Sequence, residues 1–126
     1  MTVPIILLVE DSPTQAIEIA ANLRRHGVEV VHAMDGVEAL NMADQYNPVL
    51  IVLDVNLPRM DGFQVCRRLK RDPATQHIPV VMLTVADSSE ATLQGLEAGA
   101  DDYIPKDVFA HETLLSTLEA FDINVD

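Results

Sequence analysis

VLIVLD at residues 49–54 is an unbroken apolar run that ends in a carboxylate. Continuous apolar runs of this length predict strands that are buried on both faces, as in a parallel sheet. Two further runs, IILLV at residues 5–9 and IPVVML at residues 78–83, repeat the pattern. Because these runs alternate with longer amphipathic segments, the sequence predicts an α/β fold.

The whole pattern predicts five strand–helix units. The expected strands lie at 4–9, 28–33, 49–53, 78–83 and 101–104, and the expected helices at 13–25, 36–45, 62–71, 88–98 and 107–121. Five such units in sequence indicate a doubly wound parallel sheet with right-handed connections. A chain of 126 residues, 48% of them apolar, has the length of one domain and can bury a sizeable core.

Capping residues mark the expected helix ends. Ser12 and Gln15 fit a capping box, with Pro13 at the first helical position. The residues expected to cap the later helices are Asp35, Asp61, Asp87 or Ser88, and Asp107. Gly27 and Gly99 are expected to end the first and fourth helices, where a glycine stop is common.

Polar residues follow four of the strands. Glu10 and Asp11 come after the first strand, Asp54 closes the third, Thr84 closes the fourth, and Lys106 follows the fifth. In open α/β sheets, ligands lie outside the carboxyl ends of the strands, so these side chains are expected to converge. Carboxylates in contact repel by about 1–4 kcal/mol per pair near a surface. Mg²⁺ prefers oxygen ligands of this kind and offsets that repulsion, so the sequence predicts a magnesium site suited to a phosphoryl group.

The same residues carry a resemblance to a known family. Glu10-Asp11, Asp54 followed by LPRMDG at residues 57–62, Thr84, and GADDYIPK at residues 99–106 resemble the receiver domain of two-component response regulators. The match runs from about Ile5 to about Phe121. It implies a flavodoxin-like (βα)5 three-layer sandwich with strand order 2-1-3-4-5. It also implies that residues 1–126 form a single receiver domain, with its core at about 4–121.

The resemblance assigns roles to individual residues. Asp54 is expected to be the phosphoacceptor, since a carboxylate can attack phosphorus when the group is held in line and its charge is neutralised. Asp11 and Asp54 are expected to ligate Mg²⁺ directly, and Glu10 through a water molecule. Lys106 is expected to pair with one phosphate oxygen and Thr84 to donate a hydrogen bond to another. By resemblance, the backbone carbonyl of Asn56 is a further metal ligand, and Tyr103 is the aromatic that turns inward when Thr84 moves onto the phosphoryl group.

The expected function is that of a receiver in a phosphorelay. A sensor histidine kinase or a histidine phosphotransfer protein would donate the phosphoryl group, and the surface around the fourth helix, fifth strand and fifth helix would switch. Such a domain is not an enzyme acting on a separate substrate, although it assists its own phosphorylation and dephosphorylation. The alternative within the family is a degenerate receiver that acts only as a protein-interaction module.

One departure from the family pattern concerns the loop after the site lysine. The family commonly has a proline there, joined by a cis peptide bond, whereas Asp107 follows Lys106 here. A cis bond before a residue other than proline costs about 3–4 kcal/mol, so we expect a trans Lys106–Asp107 peptide unless packing forces the other isomer. Asp107 also places a negative charge beside the ammonium group.

Two other classes of protein fit the sequence less well. A magnesium-dependent phosphatase with an aspartyl nucleophile needs an acid two residues after it, and Asn56 occupies that position. A flavin carrier needs a loop rich in serine, threonine and glycine after the first strand. The sequence EDSP at residues 10–13 would instead repel a phosphate in the absence of a metal.

The composition limits which ligands the protein is expected to bind and in which compartment it is expected to lie. A net charge of −12, with 20 acidic residues against eight basic ones, argues against direct binding of nucleic acid. The single cysteine, Cys66, excludes an internal disulfide and is expected to pack in the core. No apolar run approaches the roughly 20 residues of a membrane span, and no leader precedes the first strand, so we expect a cytoplasmic protein. We also expect it to be a monomer or a weak dimer.

Overall fold

The computed structural model describes residues 3–58, 60–84, 89–106, 109–121 and 123. Its strands are β1 (Ile5–Val9), β2 (Glu29–Ala33), β3 (Leu50–Asp54), β4 (Val80–Thr84) and β5 (Asp102–Pro105). Its helices are α1 (Pro13–Arg24), α2 (Gly36–Tyr46), α3 (Gly62–Arg71), α4 (Ser89–Glu97) and α5 (Ala110–Ala120). The predicted alternation of five strands with five helices is confirmed.

The strands form one parallel sheet in the order β2-β1-β3-β4-β5, as predicted. Successive side chains of β1 point to opposite faces. Leu8 packs in the core cluster that contains Ile19 of α1 and Leu118 of α5. Leu7 packs in the opposite cluster, which contains Val65 of α3 and residues of α2. Helices therefore cover both faces of the sheet, and both faces of β3 are buried.

Side chains cap three helices where the sequence predicts it. The side chains of Ser12, Asp35 and Asp61 accept hydrogen bonds from backbone amides in the first turns of α1, α2 and α3. The predicted caps Asp87, Ser88 and Asp107 lie outside the described residues. The described start of α5 is at Ala110, three residues later than predicted, with Phe109 at the N-cap position and no side-chain hydrogen bond there.

Glycines end two helices as predicted, and a third glycine, Gly62, is required by close packing. Gly27 and Gly99 have φ angles of 88° and 93°. These values lie in the left-handed region that favours glycine at helix ends. Gly62 is not among the described residues with positive φ. Its constraint is close approach, since a Cβ atom there would lie 2.4 Å from the backbone oxygen of Asp54.

Smaller differences have local causes. β4 begins at Val80 rather than at residue 78, and the preceding Pro79 has no amide hydrogen to donate to a neighbouring strand. Cys66 is fully buried, as predicted, and its thiol donates to the Ala98 carbonyl at 3.4 Å. Burial raises the pKa of this thiol to about 11. None of the helices in the described part of the chain has the length and apolar character needed to cross a membrane.

Candidate functional site

Three carboxylates converge at the carboxyl ends of β1 and β3. Glu10, Asp11 and Asp54 each offer an oxygen atom, and these atoms lie within 4.8 Å of one another. Glu10 is 1% exposed and Asp54 is 4% exposed, whereas Asp11 lies at the surface. A cluster of hard oxygen donors in partly buried surroundings fits Mg²⁺, so these residues could hold the predicted metal.

Lys106 reaches into this cluster from the end of β5. Its Nζ atom lies 2.7 Å from Oε1 of Glu10 and 3.1 Å from Oδ2 of Asp54. Its backbone amide donates to the carbonyl of Thr84 at 2.6 Å, which fixes the end of β5 beside the end of β4. The predicted convergence of Lys106 with the acids is therefore present, and the ammonium group neutralises part of their charge.

The surroundings of Lys106 act on its pKa in opposite directions. Burial alone would lower the pKa, because it removes water from the ammonium group. The hydrogen bond to Glu10 and the charges of Asp54 and Glu10 favour the protonated form. Together they outweigh burial, so the pKa of Lys106 is raised above its ordinary value.

Gln15 is a site residue that sequence reasoning missed. Its Oε1 atom accepts a hydrogen bond from Nζ of Lys106 at 2.9 Å. We expected its side chain to complete the capping box with Ser12. Instead, the Ser12 amide donates to Oε2 of Glu10 at 3.2 Å. The position of Gln15 in the first turn of α1, next to the ends of the strands, was the available signal, but its polarity was interpreted only as helix capping.

Hydrogen bonds position the two buried acids, Asp54 through its side chain and Glu10 through its main chain. The amide of Asn56 donates to Oδ1 of Asp54 at 3.1 Å, so the two oxygens of Asp54 have different partners. The carbonyl of Glu10 lies 2.6 Å from Nε2 of His32 on β2, a second contact that the sequence did not reveal. The Asn56 contact orients the Asp54 carboxylate, and the His32 contact positions the main chain of Glu10.

The two predicted switch residues lie on neighbouring strands. Thr84 is the last residue of β4 and is fully buried. Tyr103 on β5 is half-buried, and its ring lies over Gly95 of α4, where a Cβ atom would be 3.1 Å from the ring. Tyr103 therefore contacts α4 from the strand next to the one that Thr84 ends.

An open cavity of about 540 Å³ adjoins the cluster. Asp11 and Asn56 line it, together with Pro58 and Asp61 of the loop between β3 and α3 and with Gln94 of α4. Of the three clustered carboxylates, Asp11 lines this cavity, whereas Glu10 and Asp54 are buried. The Lys106–Asp107 peptide lies outside the described residues.

Known proteins resemble this chain over most of its length. Residues 6–119 match the family model of the response regulator receiver domain. Protein PilH of Pseudomonas aeruginosa is 38% identical over 115 residues, which cover 91% of this chain and 94% of PilH. The DNA-binding dual master transcriptional regulator RpaA of a Synechocystis species is 42% identical over 111 residues. These cover 88% of this chain but 46% of RpaA, so the chain spans less than half of that relative.

A solved structure extends the likeness to the fold. The receiver domain of the sensor histidine kinase PA1611 from Pseudomonas aeruginosa superimposes with a TM-score of 0.87 at 30% identity, over 95% of this chain and 98% of that one. That crystal structure has a magnesium ion coordinated in its active-site cleft. The predicted flavodoxin-like fold is thus confirmed, and the chain belongs to the family of response regulator receiver domains.

Proposed function

We propose that this receiver domain accepts a phosphoryl group on Asp54 from the phosphohistidine of a sensor histidine kinase or of a histidine phosphotransfer protein. The observation that carries the proposal is the position of Lys106. Its ammonium group contacts Asp54 and Glu10 at the edge of a cluster of three carboxylates. A cation and a set of oxygen ligands around one buried carboxylate are what phosphoryl transfer to an acid requires.

In the proposed reaction, a carboxylate oxygen of Asp54 attacks phosphorus and the bond to the donor nitrogen breaks. Glu10, Asp11 and Asp54, with the backbone carbonyl of Asn56, would hold Mg²⁺, which supplies charge neutralisation when bound. Lys106 exchanges its contact with Asp54 for an oxygen of the phosphoryl group. Water later cleaves the acyl phosphate and restores the carboxylate, so the domain turns over its own modification without a separate substrate.

The proposed output is a change in the surface formed by α4, β5 and α5. Thr84 is held to Lys106 by a backbone hydrogen bond, and Tyr103 on the next strand contacts α4. In the proposed switch, the Thr84 hydroxyl moves onto the phosphoryl group and the Tyr103 ring turns inward. Leu93 and Leu96 of α4 are exposed and offer apolar surface to a partner. We further propose a cytoplasmic protein in which residues 1–126 act as one domain and as a monomer or weak dimer.

The experiment compares wild type with Asp54→Asn. Acetyl phosphate and Mg²⁺ should add one phosphoryl group to the wild type, as measured by intact mass, and none to the variant. Asp61→Asn is the matched control, because it makes the same chemical change nearby and asparagine still caps α3. Beryllofluoride should shift amide resonances from Leu93 to Glu97 and at Tyr103 in the wild type only. Equal labelling of Asp54→Asn would refute the assignment, and a wild type that takes no label would favour the interaction module.

A further inference from the structure

The basic residues of this acidic chain are concentrated on one helix. Four of the eight lysines and arginines lie at residues 67–71, against 20 acidic residues in the whole chain. Arg67, Arg68 and Arg71 line an open depression of about 410 Å³ on α3, with Met60 and Gln64 at its other end. We call these three arginines and the depression the α3 arginine surface.

The arginines of this surface have no acidic partner in the part of the chain that the structure describes. The cations there that form ion pairs are Arg24, Lys70 and Lys106. Asp72, the acid next to Arg71 in the sequence, accepts instead from the amide of Ala74 at 2.9 Å. Cations near a helix C-terminus are favoured by the helix dipole, which accounts for Arg68 and Arg71 at the end of α3. It does not account for three guanidinium groups that are left without carboxylates in a chain with so many.

The geometry suits a row of carboxylates. Arg67 and Arg71 are one turn apart on the helix, about 6 Å along its axis, and Arg68 lies beside them. Guanidinium groups bind carboxylates through paired hydrogen bonds, and Arg is favoured over Lys at such sites. An acidic helix with Asp or Glu at every third or fourth residue repeats its charges at about the same distance.

The surroundings argue against other anionic ligands. A small phosphorylated ligand is usually enclosed in a mostly apolar pocket, whereas, among the described residues, Met60 is the only apolar side chain that lines this open depression. Nucleic acid would extend its phosphates beyond the α3 arginine surface and over the surrounding acidic protein. A second copy of the chain carries the same charge of −12 and would be repelled. Because the screening length is about 8 Å at physiological salt, a short acidic segment would feel mainly the local arginines.

We propose that the α3 arginine surface docks an acidic segment of a protein partner, with carboxylates at helical spacing. This surface is formed by residues of α3 and by Met60, a different set from the proposed switch surface of α4, β5 and α5. The inference is independent of the phosphoryl chemistry proposed for Asp54.

The test uses the full chain, labelled with ¹⁵N, and a synthetic peptide of about three helical turns with Glu at every third or fourth residue. At low salt the peptide should shift amide resonances at residues 60–71, and the same peptide with Gln in place of Glu should not. The double variant Arg67→Gln/Arg71→Gln should bind about tenfold more weakly, as expected from the loss of two ion pairs. Arg25→Gln is the matched control, since Arg25 is an exposed arginine at the end of α1, and it should bind like the wild type.

Each arm of the test has an outcome that overturns the proposal. Equal losses of peptide affinity in the double variant and in Arg25→Gln would mean that the peptide responds to the overall charge of the protein and not to the α3 arginine surface. Tighter binding of pyrophosphate or of duplex DNA than of the peptide, lost in the double variant, would assign the surface to that ligand instead. Salt-sensitive dimerisation that the double variant abolishes would assign it to a second copy. The circular dichroism spectrum and melting temperature of each variant establish that it is folded when binding is measured.

Discussion

Replacement of Lys106 by methionine tests whether its ammonium group and a divalent cation compete for the same carboxylates. Methionine keeps most of the side-chain volume and removes the charge. At the observed distances of 2.7 Å and 3.1 Å, the two ion pairs have gross Coulomb energies of about 6 and 5 kcal/mol at an effective dielectric constant near 20. Desolvation of the charges offsets most of this gain, and breaking a buried pair typically costs about 3–5 kcal/mol.

We expect a loss near the lower end of that range, because the Lys106 side chain is 16% exposed. A loss of about 3 kcal/mol corresponds to a fall in melting temperature of about 11 °C for a domain of this length. The variant should then gain more from Mg²⁺ than the wild type does, because Glu10 and Asp54 no longer have a cation. Binding that is about tenfold tighter would add about 1.4 kcal/mol of stabilisation at saturating metal.

The assay is thermal unfolding followed by circular dichroism, with Mg²⁺ varied at constant ionic strength. Lys70→Met is the control, because Lys70 is 20% exposed and pairs with Asp101 at 2.8 Å, an acid outside the cluster of three carboxylates. It should lose stability without any change in its response to Mg²⁺. The reasoning fails if Lys106→Met melts with the wild type in the absence of metal, or if the two gain equally from it.

The same pair of proteins has a predicted dependence on alkaline pH. The folded-state pKa of Lys106 is raised above its ordinary value of 10.5. The stabilisation by its charge is therefore complete below that value and is lost as pH rises through the folded pKa. The stability difference between wild type and Lys106→Met should shrink in that range, and a constant difference would contradict the ion-pair explanation. Taking the difference removes the contribution of Cys66, which ionises at a similar pH.

Two further predictions concern Gln15 and Cys66. Gln15→Ala should lower the free energy of unfolding by about 1 kcal/mol in urea, through loss of its hydrogen bond to Lys106, but by much less in the Lys106→Met background. Equal losses in the two backgrounds would show that the bond contributes nothing. The thiol of Cys66 is buried and its pKa is raised to about 11, so a disulfide reagent such as DTNB should modify it at pH 8 only after unfolding. Prompt modification of the folded protein would contradict the burial of Cys66 in the core.

The strand pattern predicted which residues lie around the site, because residues that follow parallel strands of one sheet lie at the same edge of that sheet. Asp54 and Lys106 are 52 positions apart in the sequence. Asp54 ends the central strand β3 and Lys106 follows the edge strand β5, and the two strands run in the same direction. Their convergence needs only the strand assignments and the rule that such strands end at one edge. For the same reason Glu10 and Thr84 could be placed at this edge without any knowledge of packing.

The side-chain contacts between residues at this edge of the sheet could not be predicted in this way. Gln15 lies 91 positions from Lys106, and the sequence of the first turn of α1 does not predict that the lysine side chain extends toward it. The contact between His32 and the Glu10 carbonyl likewise depends on the register of β1 against β2. A pattern of apolar and polar residues determines faces and edges, whereas the register and the side-chain rotamers follow from packing over the whole sheet.

The location of Lys106 also changes how its role is understood. From the sequence it was expected to contact a phosphate, and in the structure it contacts the carboxylates that would hold the metal and accept the phosphoryl group. In the proposed reaction the ammonium must leave Asp54 when a phosphoryl oxygen replaces that carboxylate charge. Since the Lys106 backbone is hydrogen-bonded to Thr84, this exchange acts at the junction of β4 and β5. The ion pairs that stabilise the unmodified protein are therefore the contacts through which its modification would be sensed.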